Sequence, residues 1–292
     1  MQPAASVIIP HHNDADALTS CLQSLAACPE RGQVEIIVVD NGPATLTPAF
    51  TRSFPDVRFF HQLQQGAALA RNTGVQKARG HILIFTDSDC VVSPDFLSQA
   101  IAAGQAQDLT GGAVRLSTPP NQSPNAVQAF ERVFAFNQRH YIEAKGFSVT
   151  ANLVTNATVF RQVGPFRGGL SEDYDWCLRA RAAGFSLHYR PEMVVHHPCR
   201  ATWAQLQAKW RRITAETYGL HHSRQRGLLR WVGLAALMPL SILAHAPRVF
   251  RSPELSSPAE RLAALRTLAR LRLWRMAEML RLMLRRKPAN TG

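Results

Sequence analysis

Two carboxylates stand at i and i+2 in Asp87-Ser88-Asp89, directly after the apolar run His81-Ile-Leu-Ile-Phe85. One of them can hold a hard divalent cation, Mg2+ or Mn2+, which takes oxygen ligands and is completed by substrate phosphates. The other can accept hydrogen bonds from a ribose or order the loop. A bare D-x-D more often closes a loop or caps a helix, so its meaning depends on the elements around it. Asp40-Asn41 likewise follows an apolar run, Val34-Glu-Ile-Ile-Val-Val39, and Pro10 with His11 and His12 follows Ser6-Val-Ile-Ile.

These polar groups share a position relative to the backbone. Ser6–Pro10, Val34–Val39, Val57–Phe60 and His81–Phe85 read as buried strands of four to six residues. Between them lie helical patterns. Asp14 or Asp16 can cap a helix carrying Ala17, Leu18, Cys21, Leu22 and Leu25 at helical spacing, and Ala67–Ala78 forms another. Strands alternating with helices imply crossover units and an α/β fold with a mainly parallel central sheet flanked by helices. Ligands of such sheets bind beyond the carboxyl ends of the strands, where Pro10–His12, Asp40-Asn41 and Asp87–Asp89 all fall.

The chain has 292 residues, 46% apolar and 18% charged, which supports a packed core and excludes global disorder. Its net charge of +13 is uneven. Residues 1–199 hold 15 basic and 16 acidic residues, whereas residues 200–292 hold 18 and 4. A neutral front therefore precedes a back of net charge +14 that meets negative charge. The five cysteines (Cys21, Cys28, Cys90, Cys177, Cys199) show no metal spacing, and we expect free, mostly buried thiols in a reducing compartment. No basic-then-apolar leader precedes Ser6, so no secretion signal and a cytosolic active domain are expected.

In the back, Trp231–Ala244 is uncharged and mostly apolar, shorter than the roughly 20 residues of a spanning helix and interrupted by Pro239. From Ala259 to Lys287, Leu262, Leu265, Ala269, Leu273, Met276, Leu280 and Met283 share one helical face. Arg261, Arg270, Arg272, Arg275, Arg281, Arg285 and Arg286 fall outside that stripe, and Arg266 sits at its edge. A basic amphipathic helix of this kind suits an anionic membrane surface, here reached through residues 228–287.

The ordered set Ser6-Val-Ile-Ile-Pro10, Ile36-Ile-Val-Val-Asp40-Asn-Gly42, Gly66-x-x-x-x-Arg71-Asn72-x-Gly74, Ala78-Arg-Gly80, Phe85-Thr-Asp87-Ser-Asp89 and Ser171-Glu172-Asp173-Tyr-Asp175-Trp-Cys-Leu-Arg179 resembles that of family 2 glycosyltransferases of the GT-A fold. The resemblance spans about residues 5–215. It implies a nucleotide-sugar donor and a saccharide or lipid-linked acceptor. Pro10 and Asp40 would line the nucleotide pocket, Arg71 would lie near the diphosphate, and Asp87 with Ser88 would meet the donor ribose. Asp89 would hold Mn2+ or Mg2+, which assists departure of the nucleotide.

By the same resemblance Asp173, beside Glu172, would be the general base that deprotonates the acceptor hydroxyl, giving inversion at the sugar. Ser171, Glu172 and Asp173 also suit a helix cap and first turn, and both roles can hold together. His197 would complete the metal shell or contact the diphosphate, and alternation lets only one of His196 and His197 face the site. Asn152 and Trp176 would lie near the acceptor, with Asn156 a weaker candidate.

The chain departs from the family pattern at His11-His12-Asn13, where Thr-Tyr-Asn is usual, at Asn41, often Asp, and at Ser171, often Gly. Leu206 stands where processive synthases carry the Gln of Gln-x-x-Arg-Trp, which implies single additions. We therefore expect a catalytic domain over 1–215, with a nucleotide-binding half to about 110 and an acceptor half from 111. A basic helical membrane-associating tail over 216–292 would follow. The enzyme would act in cell-surface polysaccharide or glycolipid synthesis, peripheral on the inner face of the cell membrane. A nucleotidyltransferase-like enzyme would share the fold type but want a Gly-rich basic loop near the N-terminus. A nucleic-acid-binding protein would use the basic tail, yet the arginines there interleave with an apolar face rather than exposed aromatics, so no nucleic acid is expected.

Overall fold

A computed structural model describes residues 2–43, 46–118, 122–168, 171–222 and 227–284. Arg285 and Arg286 of the expected basic helix lie outside the described residues. The chain divides into two compact units, Met1–Ser117 with Asn137–Pro198, and Thr118–Phe136 with Cys199–Gly292.

The elements run in order: β1 (Ala5–His11), α1 (Ala15–Ala26), β2 (Val34–Asp40), α2 (Pro48–Arg52), β3 (Val57–His61), α3 (Ala67–Lys77), β4 (Ile82–Phe85), β5 (Val91–Val92), α4 (Phe96–Ala106) and β6 (Leu109–Ser117). Then come α5 (Ala126–Phe134), α6 (Gln138–Lys145), β7 (Leu153–Asn156), α7 (Ala157–Val163), α8 (Glu172–Ala182) and β8 (Leu187–Pro198). The chain ends in α9 (Trp203–His222), α10 (Gly227–Ala236), α11 (Leu240–Phe250) and α12 (Pro258–Leu284).

In the first unit the eight strands make one sheet in the order β3-β2-β1-β4-β7-β6-β8-β5. β1 pairs in parallel with β2 and β4, β2 with β3, and β6 with β8. β7 runs antiparallel between β4 and β6, and β5 antiparallel on β8. The four strands read from the apolar runs are all present, and β1, β2 and β4 are buried nearly throughout, as a sheet covered on both faces requires. One layer of core joins Val7, Ile9, Val38 and Ile84 to Leu18, Leu22 and Leu25 of α1. The other joins Ile8, Leu83 and Phe85 to Phe160, Phe166 and Trp176. Asp14, not Asp16, caps α1: its side chain accepts from the Ala17 N–H at 3.0 Å.

β8 shifts register against β6 between Gly112 and Ala113. A β-carbon at Gly112 would collide with the Met193 carbonyl oxygen and the Asn152 amide, so only glycine allows this approach. Beyond the bulge the end of β8 pairs with the edge strand β5, His196 opposite Val91 and His197 one residue on.

The second unit is helical. α12 packs along α5, α9, α10 and α11. Its inward residues are Ala264, Thr267, Leu268, Leu271, Glu278 and Met279, set against Val127, Phe130, Leu206 and Trp231. The sequence reading named no such packed face. Leu262, Leu273 and Leu280 of the expected stripe are 49%, 48% and 41% exposed, while Leu265 and Met283 at its edge pack against the helical core. α12 thus has two apolar faces, one used for packing and one facing solvent.

Among the described residues no single helix is long and apolar enough to cross a membrane. α10 and α11, bent by 57° at the break before Leu240, reach that length and apolarity only as a pair. The division between units falls at 198–199 and assigns 118–136 to the helical unit, whereas the sequence reading set the boundary near 215. The reason is that α9 packs its Leu206, Trp203 and Trp210 on α12 and α5.

Candidate active site

Parallel pairing puts His11 beside Asp40 at the carboxyl ends of β1 and β2. The His11 ring is buried, with Nδ1 at 3.0 Å from Asp40 Oδ1. Its Nε2 accepts the Asp14 N–H at 3.2 Å, so the proton sits on Nδ1 and is donated to Asp40. The Gly42 N–H donates to the same Asp40 oxygen at 3.2 Å. Asp40 is thereby held in one orientation at the end of β2, next to the half-buried Pro10. Asn41, where an Asp is more usual, donates to the Gln62 and Gln64 carbonyls and accepts from the Gly66 N–H. A carboxylate could make only the last of these bonds.

Arg71 of α3 is buried and joins two carboxylates far apart in sequence. Its Nη2 donates to Asp87 Oδ1 at 2.6 Å and its Nη1 to Glu172 Oε1 at 2.9 Å. These opposite charges hold the guanidinium protonated despite its burial. The D-x-D loop and the N-terminus of α8 are thus parts of one site. Arg71 was expected to face a diphosphate; in this conformation both terminal nitrogens are engaged by carboxylates, and its buried Nε has no hydrogen-bond partner among the described residues.

Asp173 sits in the first turn of α8. Ser171 Oγ and the Tyr174 N–H both donate to its Oδ1, at 2.9 and 2.8 Å. Burial and the neighbouring Glu172 charge push its carboxyl above the ordinary aspartate value, against the opposing pull of these hydrogen bonds and of Arg71. A raised carboxyl is a stronger proton acceptor once ionised.

Asp87, Asp89 and His197 form a cluster whose ligand atoms all lie within 4.8 Å of one another. His197 Nε2 is 3.4 Å from Asp89 Oδ2. Its Nδ1 is 2.9 Å from the Pro198 carbonyl, to which an Nδ1–H donates, so Nε2 is the nitrogen turned toward the carboxylates. Two carboxylates and one imidazole fit a divalent cation, and an imidazole ligand suits Mn2+ better than Mg2+. His196 instead lies opposite Val91, and partial burial with the Arg115 charge lowers its basicity. Ser88 is half-buried between the two aspartates. Beneath the loop, burial and the Asp89 and Asp87 charges raise the Cys21 thiol, and Cys90 responds in the same way. All five cysteines are free, four of them buried.

Two expected acceptor residues are placed elsewhere. Asn152 is fully buried and its amide donates to the Ala113 and Met193 carbonyls, both at 2.9 Å, so it pins the β6–β8 bulge rather than facing an acceptor. Trp176 has no exposed surface. It stacks on Phe160 and donates to the Gly164 carbonyl at 2.9 Å, which makes it core. Asn156 caps α7 through the Val159 N–H. The aromatic that does reach solvent beside Asp173 is Tyr174, 43% exposed and edge-on to Phe147. Its place next to the acidic pair was the only signal in the sequence.

The profile described as Glycosyl transferase family 2 matches residues 6–174, more than half of the chain. The chain belongs to glycosyl transferase family 2. This glycosyltransferase is 30% identical over 219 residues to Glycosyltransferase AglE of Haloferax volcanii, covering 72% of the chain and 71% of that protein. It is 28% identical over 221 residues to the Succinoglycan biosynthesis protein ExoM of Rhizobium meliloti, covering 69% and 70%. Its fold is that of GT-A glycosyltransferases. The mannosyltransferase PcManGT of Pyrobaculum calidifontis, solved with GDP-Man and Mn2+, superposes with a TM-score of 0.60 at 17% identity over 97% of this chain and 87% of that one.

Proposed function

We propose that this glycosyltransferase is metal-assisted and inverting. It moves a sugar from a nucleoside-diphosphate sugar to a hydroxyl of a saccharide or lipid-linked acceptor, in polysaccharide or glycolipid synthesis. The observation that carries the reading is the Arg71 bridge, which makes the D-x-D loop and the acidic pair Glu172-Asp173 one site. The Mn2+ and GDP-Man of the structural neighbour support a metal-bound nucleotide sugar as donor, and the succinoglycan relative supports polysaccharide synthesis.

Each residue then has a task. Pro10 and Asp40 line the nucleotide pocket, with Asp40 oriented by His11 to accept from the base or ribose. Asp87 and Ser88 meet the ribose. Asp89 and His197, with Asp87 beside them, hold Mn2+ or Mg2+. When bound, the cation supplies Lewis-acid stabilisation of the departing diphosphate. Asp173 takes the proton of the acceptor hydroxyl as that oxygen forms its bond to the anomeric carbon. The bond from that carbon to the diphosphate oxygen breaks on the opposite face, which inverts the configuration. Glu172 is held by Arg71 and its charge keeps Asp173 basic.

The basic helical unit, with its outward leucines, places the enzyme on the inner face of a membrane where lipid-linked or membrane-made acceptors lie. Nucleotide release from a panel of nucleotide sugars with Mn2+ tests the chemistry. Asp89→Ala and Asp173→Asn should each abolish transfer, and an active Asp173→Asn removes the assigned base.

A further inference from the structure

Within the second unit, α9 and α12 carry three arginine–tryptophan stacks. Arg270 Cζ lies 4.0 Å from the Trp203 ring centroid, Arg275 4.2 Å from that of Trp210, and Arg211 5.7 Å from that of Trp274. Arg211 also has a carboxylate, Glu278 at 3.8 Å, which Arg281 shares. Arg272 and Arg275 have none: neither makes an ion pair or hydrogen bond among the described residues, and the Nε of each is buried and unpartnered. One turn apart on α9, Trp210 Nε1 and Thr214 Oγ1 are buried and unpartnered as well. The pair is half-buried, burial lowers the basicity of both guanidiniums, and Arg272 adds repulsion that helps push Arg275 down to about 10.

A half-buried cation without a counter-charge costs stability. Stacking on Trp210 offsets part of that cost, but does nothing for the second arginine one turn away. Two adjacent, uncompensated guanidiniums beside the orphaned Trp210 N–H are what an anion site looks like before its anion arrives. The guanidinium fork matches phosphate oxygens better than any other side chain.

We propose that Arg272 and Arg275 bind the phosphate of an anionic phospholipid and seat the helical unit on the bilayer. Charge complementarity points there, since residues 200–292 hold 18 basic and 4 acidic residues. So does the neighbouring flank of α12. Helical spacing puts Arg272 at the seam between the packed face and the outer residues Leu273, Met276 and Leu280, with Arg275 one turn on at the packed side over Trp210. A phosphate held at that seam leaves the leucines for the acyl boundary. The inference rests on the membrane part of the proposed function.

The test uses the full chain, sedimented with vesicles of phosphatidylcholine alone or mixed with phosphatidylglycerol. The double variant Arg272→Met with Arg275→Met is compared with Arg230→Met with Arg266→Met, which removes the same charge from exposed positions. The site variant should lose affinity for the anionic vesicles about tenfold more than the control variant, because bidentate phosphate contacts exceed diffuse attraction. In phosphate-free buffer it should melt at or above the wild-type temperature, since an uncompensated charge has been removed. Equal losses in both variants overturn the site and leave the membrane reading standing. Wild type that ignores anionic vesicles overturns both. A lower melting point for the site variant in phosphate-free buffer makes the arginines packing elements and overturns the site. Stabilisation by inorganic phosphate without preference for anionic vesicles shows a soluble-anion site and overturns the lipid assignment.

Discussion

Arg71 holds two carboxylates that the proposed reaction sets on opposite sides, Asp87 toward the donor and Glu172 beside the proposed base Asp173. Its side chain is 4% exposed, so removing it leaves two partly buried acids unpaired. Arg71→Met should lower stability by about 3 kcal/mol in chemical denaturation, the scale for breaking a buried ion pair. It should also move the pH profile. Asp173 must be ionised to accept a proton, and burial with Glu172 already raises its carboxyl while Arg71 pulls it down. The acid limb of kcat/KM should therefore lie above the ordinary aspartate range in the wild type, and move higher still in Arg71→Met. The sign for folding follows. A carboxyl raised in the folded state stabilises the fold while protonated, and that contribution is lost as pH rises from the unfolded value through the folded one. Asp173→Asn, which stays neutral, should abolish this loss, and denaturation across that pH window measures it. Asp173 itself was readable from its motif, whereas the carboxylates that Arg71 would meet were not. The partners lie 16 and 101 residues away, and no local spacing encodes them.

At the scale of elements, strands were readable because burial on both faces leaves a continuous β-branched run, as in Ile36–Val39. α12 was harder. Its outward stripe and its inward face both carry leucines at helical spacing, so periodicity alone does not say which one packs. The structure sets Leu268 and Leu271 at 0% and 1% exposure and leaves Leu273 and Leu280 near half exposed. Leu268→Ala should cost roughly 2–5 kcal/mol through the lost contacts and cavity. Leu273→Glu should leave the melting temperature nearly unchanged, because surface substitutions usually stay within about 0.5 kcal/mol. The same Leu273→Glu should weaken sedimentation with anionic vesicles. A destabilisation by Leu273→Glu as large as that by Leu268→Ala would show that the outer face packs on protein. Asn152 and Trp176 are the converse lesson. Both stand near motif positions, yet one ties a bulge between strands and the other fills the core, since a polar or aromatic residue type does not state its exposure.

For the whole molecule, the chain splits into a neutral α/β unit and a basic helical unit, to which the proposed function gives the chemistry and the placement respectively. Attraction of the second unit to a bilayer should fall steeply with salt, as the Debye length shrinks from about 10 Å at 0.1 M to about 3 Å at 1 M. Apolar insertion by the outer leucines is not screened, so binding retained at 1 M salt measures their share. Salt-independent binding would remove charge as the driving force. The sequence by itself determined the first four strands, the end of the sheet that carries the polar groups, the family, and the split of charge along the chain. Each of these is a local pattern or a sum over residues. Only the tertiary structure decided that Arg71 links Asp87 to Glu172, that His197 rather than His196 meets Asp89, and that residues 118–136 belong with the helical unit. Those outcomes depend on a bulge, a side-chain reach and a packed face, which arise from contacts between residues remote in the chain.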